Sequence, residues 1–366
     1  VPISWKDLFD TANVKTEAGT ALLAGRTPDE DARVLHNATR NGLVCLGKTH
    51  MTELAFSGLG LNPVTASPPN INDHDRVSGG SSSGAATSVA FGLAVAGIGS
   101  DTGGSVRTPS AWNNLVGLKT RAGRLSLDGV VPLCARFDTV GPLCRSVEDA
   151  ALLLAALDGA QPVSLEGARL EGVRLARLET SATENLRAPV DTAFEDAVLR
   201  LSKAGAQVEN IEIPAVAEAM ALAPLLFAPE AFGTWGKVIE ASPEKMYPPV
   251  LERFRGGASV SAPDFIAAWQ RLDRLRSIYA AATAGYDAVI LPTTPITPPR
   301  IEDVSEDPAL FTSENLLALQ NTRIGNLMGL AGLTLPTGVP CVGLLLQGPS
   351  EEVLLRIGVA AERALA

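Results

Sequence analysis

The chain has 366 residues, and 46% hydrophobic against 19% charged is a globular balance that excludes a disordered chain. Forty acidic against 30 basic residues leave a formal charge of −10. That argues against nucleic acid or an anionic membrane surface as the main partner, because both reward positive charge.

In chain order, the opening VPISWKDLFD has no basic segment followed by an apolar run, so no secretory signal is expected there. Thr27, Pro28 and Glu30 read as a capping box with proline at the first helical position, predicting a helix to about Asn41 that stops at Gly42. LVCL (43–46) reads as a buried strand, the small residues from Gly84 to Leu93 as a tightly packed helix, and AVAGIG (94–99) as a central strand. Ala85–Gly99 is taken as the longest weakly polar stretch, and it falls short of the ~20 apolar residues a spanning helix needs. Ser146 caps VEDAALLLAAL, which ends near Gly159, and the polar stretch 161–172 reads as an insertion or a seam. Val190–Ala204 has helical periodicity, Gly205 stops it, and VENIEI alternates like a strand. Ala215–Ala241 reads as mostly helical with Trp235 in the core, and Pro263 opens a further helix through Trp269 and Leu275. AVILP (288–292) is a strand running into TTPITPP, LTLPTG and VGLLLQ are late strands, and Glu351–Leu365 is a closing helix. Strands alternating with helices predict an α/β layered fold, and without an internal repeat or linker one large domain over 1–366 is expected.

Two glycine–serine segments stand out: SGGSSSGAATSVA (78–90) and GSDTGGSVRTPS (99–110). Glycine lets backbone approach a ligand closely. A phosphate cradle is poorly matched: neither segment fits GxxxxGK[ST], and Thr102 stands where GxGxxG requires glycine. Gly80-Ser81-Ser82-Ser83-Gly84 formally fits GxSxG, but a nucleophile elbow needs its histidine later in the chain. The three histidines, His36, His50 and His74, all precede Ser82. With no HExxH and no cysteine–histidine cluster, a metal site is not expected. The four scattered cysteines, Cys45, Cys134, Cys144 and Cys341, read as reduced thiols; Cys134 and Cys144 are expected in the core.

Lysine is then the remaining base for a serine nucleophile, and there are seven. Bringing an amine from about 10.4 to near 7–8 takes burial or a repulsive neighbour, roughly 4 kcal/mol. Ser242-Pro243-Glu244-Lys245 fits SxxK but lacks the companion SDN and KTG motifs, and it reads better as a helix N-cap with proline in the first turn.

Taken jointly, GGSSSG, SDTGGSVRTPS and VGLKTRAGRLSLDGVVPLCARFDTVGPLCRSVEDAALLL resemble the amidase signature family, closely over residues 1–157 and loosely over the rest. VPISWKDLFD is similar to its strand-then-lysine motif, and DAVILPTTPITPP and NLMGLAGLTLPTG to its later segments. The resemblance implies an α/β/α sandwich on a large mixed sheet, with residues 160–285 a more variable, mostly helical segment. It implies a cofactor-free amidase of a small or medium carboxamide, cytoplasmic and without a membrane, with a homodimer among the assemblies it admits. The alternatives are the A subunit of a tRNA-dependent amidotransferase, with partner subunits, and a non-catalytic scaffold on the same fold.

Carried over by position, the resemblance makes Ser105 the nucleophile, Ser81 the bridging serine after a cis peptide bond, and Lys6 the base. Lys48, in LGKTHMTEL, follows a strand as well, but the catalytic lysine of the family occupies the earlier motif. The backbone N–H groups of Thr102, Gly103, Gly104 and Ser105 are expected to face the oxyanion. Ser82 and Ser100 are expected to brace the network, and Arg107 to orient the loop through Asp101 rather than bind a substrate carboxylate. Asp138 and Thr139 are expected as scaffold, and Arg323 with Thr293 and Thr294 as lining of the acyl pocket. Ala111-Trp112-Asn113-Asn114 departs from the family's cysteine-containing stretch.

Overall fold

The computed structural model describes residues 1–179, 183 and 186–366. Its frame is a ten-stranded mixed sheet. In chain order the strands are β1 (Pro2–Lys6), β2 (Val44–Thr49), β3 (Ala96–Asp101), β4 (Val116–Lys119), β5 (Thr139–Cys144), β6 (Arg174–Glu179), β7 (Gln207–Glu212), β8 (Ala288–Pro292), β9 (Ala331–Pro336) and β10 (Gly343–Gly348). Across the sheet they lie β2-β1-β3-β5-β4-β9-β10-β8-β6-β7. Pairing is parallel at both flanks and antiparallel from β3 through β10 to β8.

The helices are α1 (Arg33–Arg40), α2 (Ser83–Ala90), α3 (Arg107–Trp112), α4 (Val147–Asp158), α5 (Ala188–Lys203), α6 (Pro214–Ala241), α7 (Pro248–Arg255), α8 (Ala262–Thr283), α9 (Ile301–Glu306), α10 (Pro308–Ala318), α11 (Gln320–Leu327) and α12 (Glu351–Leu365). Strand β3 shows why they form two layers, because alternate side chains of a strand point to opposite faces. A Cβ on Gly97 would meet Ala85 O at 2.7 Å, so α2 lies directly on that face. Ile98 points the other way, into the main core with Val147 and Leu154 of α4. The run of Gly84, Ala85 and Ala86 is small because α2 sits that close to the sheet.

Local signals that cap or stop an element hold well. Ser146 Oγ accepts from Asp149 N at 3.1 Å, and Gly159 closes α4 at φ 73°. Gly205, at φ 104°, ends α5. Trp235 is buried and donates from Nε1 to Pro132 O at 2.8 Å.

Four readings need correction. The first helix starts at Arg33, not at Pro28. Ala32 N donates to Asp10 O and Asp31 accepts from Ala12 N, which holds the preceding segment extended, and Thr27 Oγ1 turns to Gly25 O. β2 is an edge strand, not a buried one, with Val44 and Leu46 58% and 54% exposed. Ser242 precedes a single 3₁₀ turn, Pro243–Lys245, and makes no side-chain cap. Finally, α6 and not Ala85–Gly99 is the long apolar element: among the described residues it is the one helix long and apolar enough by composition to cross a membrane. It packs against α7, α8 and α11, and Leu226, Ala231 and Ile239 are fully buried.

Candidate active site

Lys6 is the last residue of β1, between β2 and β3, and Trp5 and Phe9 pack edge to face beside it at 5.2 Å. Its carbonyl accepts from Leu8 N and Phe9 N, so the strand stops in a tight turn that fixes the side chain. The amine is wholly buried and lies 2.7 Å from Ser81 Oγ and 2.8 Å from Ser100 Oγ. Burial lowers its pKa to about 7, against the opposing pull of Asp138 and Asp101.

Ser81 follows a cis peptide bond from Gly80. The loop carrying it is sewn to residues 52–60: Gly79 N donates to Leu59 O, Gly80 N to Gly58 O, and Thr52 N to Ser81 O. Gly79 has φ 78°, and a Cβ on Gly80 would stand 2.8 Å from Gly60 N, so this stitching needs both glycines. Ser82 binds the two serine segments together. Its Oγ donates to Ser100 O and accepts from Ser100 N, and its own N–H donates to Ser105 O at 3.2 Å.

The second segment is wound around Asp101. Its carboxylate accepts from the N–H groups of Gly104 and Val106, from Arg107 Nε and Nη2 at 3.0 and 2.9 Å, and from Asn326 Nδ2. Burial alone would raise the pKa of Asp101, but the Arg107 guanidinium overrides it and holds the carboxyl well below the usual range. Arg107 continues to Thr322 O and Asn326 Oδ1, with no exposed surface, and so ties the loop to α11. Thr102 Oγ1 donates to Asp138 Oδ1 at 2.5 Å and Thr139 Oγ1 to Asp101 O at 2.7 Å. Burial raises the pKa of Asp138, and bonds from Thr102, Leu133 and Cys134 partly offset it.

One of the four expected oxyanion donors is spoken for. The Gly104 N–H goes to Asp101 Oδ1 at 2.9 Å, one of several donors that this buried carboxylate collects. Among the described residues the N–H groups of Thr102, Gly103 and Ser105 have no such partner. Gly104 is needed for another reason: at φ 146°, its Cβ would lie 2.2 Å from Thr322 Oγ1.

Ser105 joins this network through backbone. No hydrogen bond links its hydroxyl to that of Ser81 among the described residues, whereas Lys6, Ser81 and Ser100 are in direct contact. Ser105, Thr102 and Gly103 line a cavity of about 420 Å³ whose walls include Phe56, Phe227, Phe311, Arg253 and Arg323. Thr293 and Thr294 are not in that lining: they bond Thr334 and the Trp112 indole. Lys48 lies elsewhere, paired with Asp7 at 2.9 Å and donating to Thr16 Oγ1. Cys134 and Cys144 are buried, and burial pushes both thiols up. Sequence reasoning missed Arg253 and Asn315, which reach the cavity from helices whose periodicity says nothing about which gap they face.

The family model described as Amidase matches residues 1–351. The 2-amino-5-chloromuconic acid deaminase of Comamonas testosteroni is 34% identical, over 98% of this chain and 80% of its own length. The A subunit of the glutamyl-tRNA(Gln) amidotransferase of Koribacter versatilis (strain Ellin345) is 27% identical, over 100% of this chain and 84% of its own. A solved structure described as that of an amidase superposes with a TM-score of 0.89 at 31% identity, covering 100% of this chain and 85% of the other.

Proposed function

We propose, from the premise that this chain belongs to the amidase family and is a hydrolase of carbon–nitrogen bonds, that it cleaves a small carboxamide through an acyl-enzyme on Ser105. The observation that carries this reading is a single one. A wholly buried lysine, with a pKa near 7, touches two serine hydroxyls beneath a cavity lined by a third serine.

In this reading Ser105 Oγ attacks the amide carbon. Its proton passes to Ser81 Oγ, and the Ser81 proton passes to the neutral Lys6 amine. Ser100 holds Lys6 in line from the other side. The carbonyl oxygen gathers negative charge and is met by the free N–H groups of Thr102, Gly103 and Ser105. Removing one such donor costs ~10²–10³ in rate. The C–N bond then breaks, the relay returns a proton to the leaving nitrogen, and the amine departs. Water attacks the ester on Ser105 along the same relay and releases the carboxylic acid. For the Ser81–Ser105 step the two hydroxyls close to hydrogen-bond contact when substrate binds, as catalytic contacts often tighten only in the complex.

A fluorophosphonate probe tests this. The wild type is expected to be labelled and to release ammonia from a panel of carboxamides, and Ser105→Ala to be unlabelled with its fold intact. Labelling that survives Ser105→Ala overturns the assignment. The likeness to the A subunits of amidotransferases supports a second reading, in which the same site releases ammonia from glutamine for partner subunits. Purification that yields the active chain alone, with no preference for glutamine, removes it.

A further inference from the structure

The cavity above Ser105 is apolar for most of its surface, yet two arginines enter it. Arg253, on α7, and Arg323, on α11, make no ion pair among the described residues. Arg253 Nη1 is buried without any hydrogen-bond partner, and the guanidinium lies over the Phe56 ring at 4.4 Å. Arg323 makes no side-chain hydrogen bond there either. The acid in the lining, Glu252, is turned away to Arg255 at 3.2 Å. Burial lowers the pKa of Arg253 to about 9, and the charge of Arg323 adds to the drop; burial alone takes Arg323 to about 10. By contrast Arg107, which has no exposed surface, has its anion in Asp101.

Two like charges held together in an apolar pocket without a counterion are costly unless a ligand supplies one. We propose that Arg253 and Arg323 form the recognition site for an anionic group on the substrate, so that the amide this enzyme cleaves carries a carboxylate at its far end. The inference rests on the amidase reading of Ser105. A guanidinium fork matches a carboxylate edge to edge. Asn315 stands beside them, its Oδ1 taken up by Ser57 and Gly58 and its amide nitrogen free to donate. Phe227, Phe311 and Leu319 surround the space between, which suits a hydrocarbon body joining amide and carboxylate. Three donor groups among rings satisfy a singly charged planar anion; a phosphate dianion needs more donors than these.

The test compares the monoamides of succinic, glutaric and adipic acid with the same amides methylated at the carboxylate. Ammonia release is expected to favour the charged member of at least one pair roughly 30-fold or more in kcat/KM, about 2 kcal/mol. Arg323→Met and Arg253→Met are expected to collapse that ratio, and Arg323→Lys to recover part of it. Both Met variants are also expected to melt at higher temperature than the wild type without ligand, because an unpaired charge lining an apolar cavity is gone; a merely structural arginine gives the opposite shift. A second arm needs no turnover: adipate binding to Ser105→Ala by calorimetry is expected, and is lost on adding Arg323→Met. Equal rates within every pair, equal loss on both members, or inorganic phosphate binding as well as adipate each overturn the proposal. Failure of all amides with adipate binding intact strikes the amidase reading instead.

Discussion

Lys6 and Lys119 are two buried lysines on one sheet, and their amines touch groups of different kinds. Both are almost wholly shielded, and burial brings both amines to about 7. Lys119, at the end of β4, donates to the carbonyls of Thr120 and Leu330 at 2.7 and 2.6 Å. Lys6, at the end of β1, faces the hydroxyls of Ser81 and Ser100. A carbonyl only accepts, so it anchors an amine and can hand it nothing; a hydroxyl both donates and accepts, so it can pass a proton through. A perturbed pKa marks both sites equally. In the proposed mechanism the partner's chemistry separates a relay from a strut.

The comparison can be broken at its strongest point. Lys6→Met is expected to lower kcat by about 10³-fold or more with the fold retained, since members of one catalytic unit fail together. Lys119→Met is expected to leave the amide-hydrolysis rate within about tenfold. If both variants lose rate equally while still folded, the distinction collapses.

The pH profile sharpens it. In the proposed mechanism Lys6 acts as the neutral amine, so kcat/KM is expected to fall with a one-proton slope as pH drops through about 7 and to level off above it. Lys119→Met should leave that limb in place.

Stability gives the converse readout. The folded pKa of Lys119 lies below its ordinary 10.5, so between about 7 and 10.5 the unfolded chain holds a proton that the folded chain lacks. Stability therefore rises with pH across that window, and below it, with both states protonated, the burial cost stands in full. Lys119→Met is expected to reduce the slope by up to ~1.4 kcal/mol per pH unit, read from urea melts across the window. An unchanged slope removes Lys119 from the account. The smallest effect belongs to Lys48→Ala. Its pair with Asp7 is partly exposed, worth ~0.2–1 kcal/mol, and activity should change by under about fivefold. A larger loss than from Lys6→Met reverses the lysine assignment.

How much of this was legible beforehand depends on range. Ser146, Gly159 and Gly205 act on neighbours a few residues away, so the ends of α4 and α5 were readable. Helices α3 and α11 were not: they are short and buried nearly all round, so no amphipathic period marks them. β2 was misplaced because four apolar letters look alike at an edge and in a centre. The contacts of Lys6 span 75 and 94 residues. Resemblance pointed to those partners, and no local pattern could have.

The order of residues by itself excluded a nucleophile elbow at Ser82, because every histidine precedes it, and the resemblance supplied the lysine as the expected base. Tertiary structure decided which lysine lies dry against hydroxyls, that the Gly104 N–H is spent on Asp101, and that two arginines share a cavity whose acid, Glu252, is bound to Arg255 instead. Composition is a property of the letters. Desolvation and partner geometry are sums over neighbours that only the folded chain brings together.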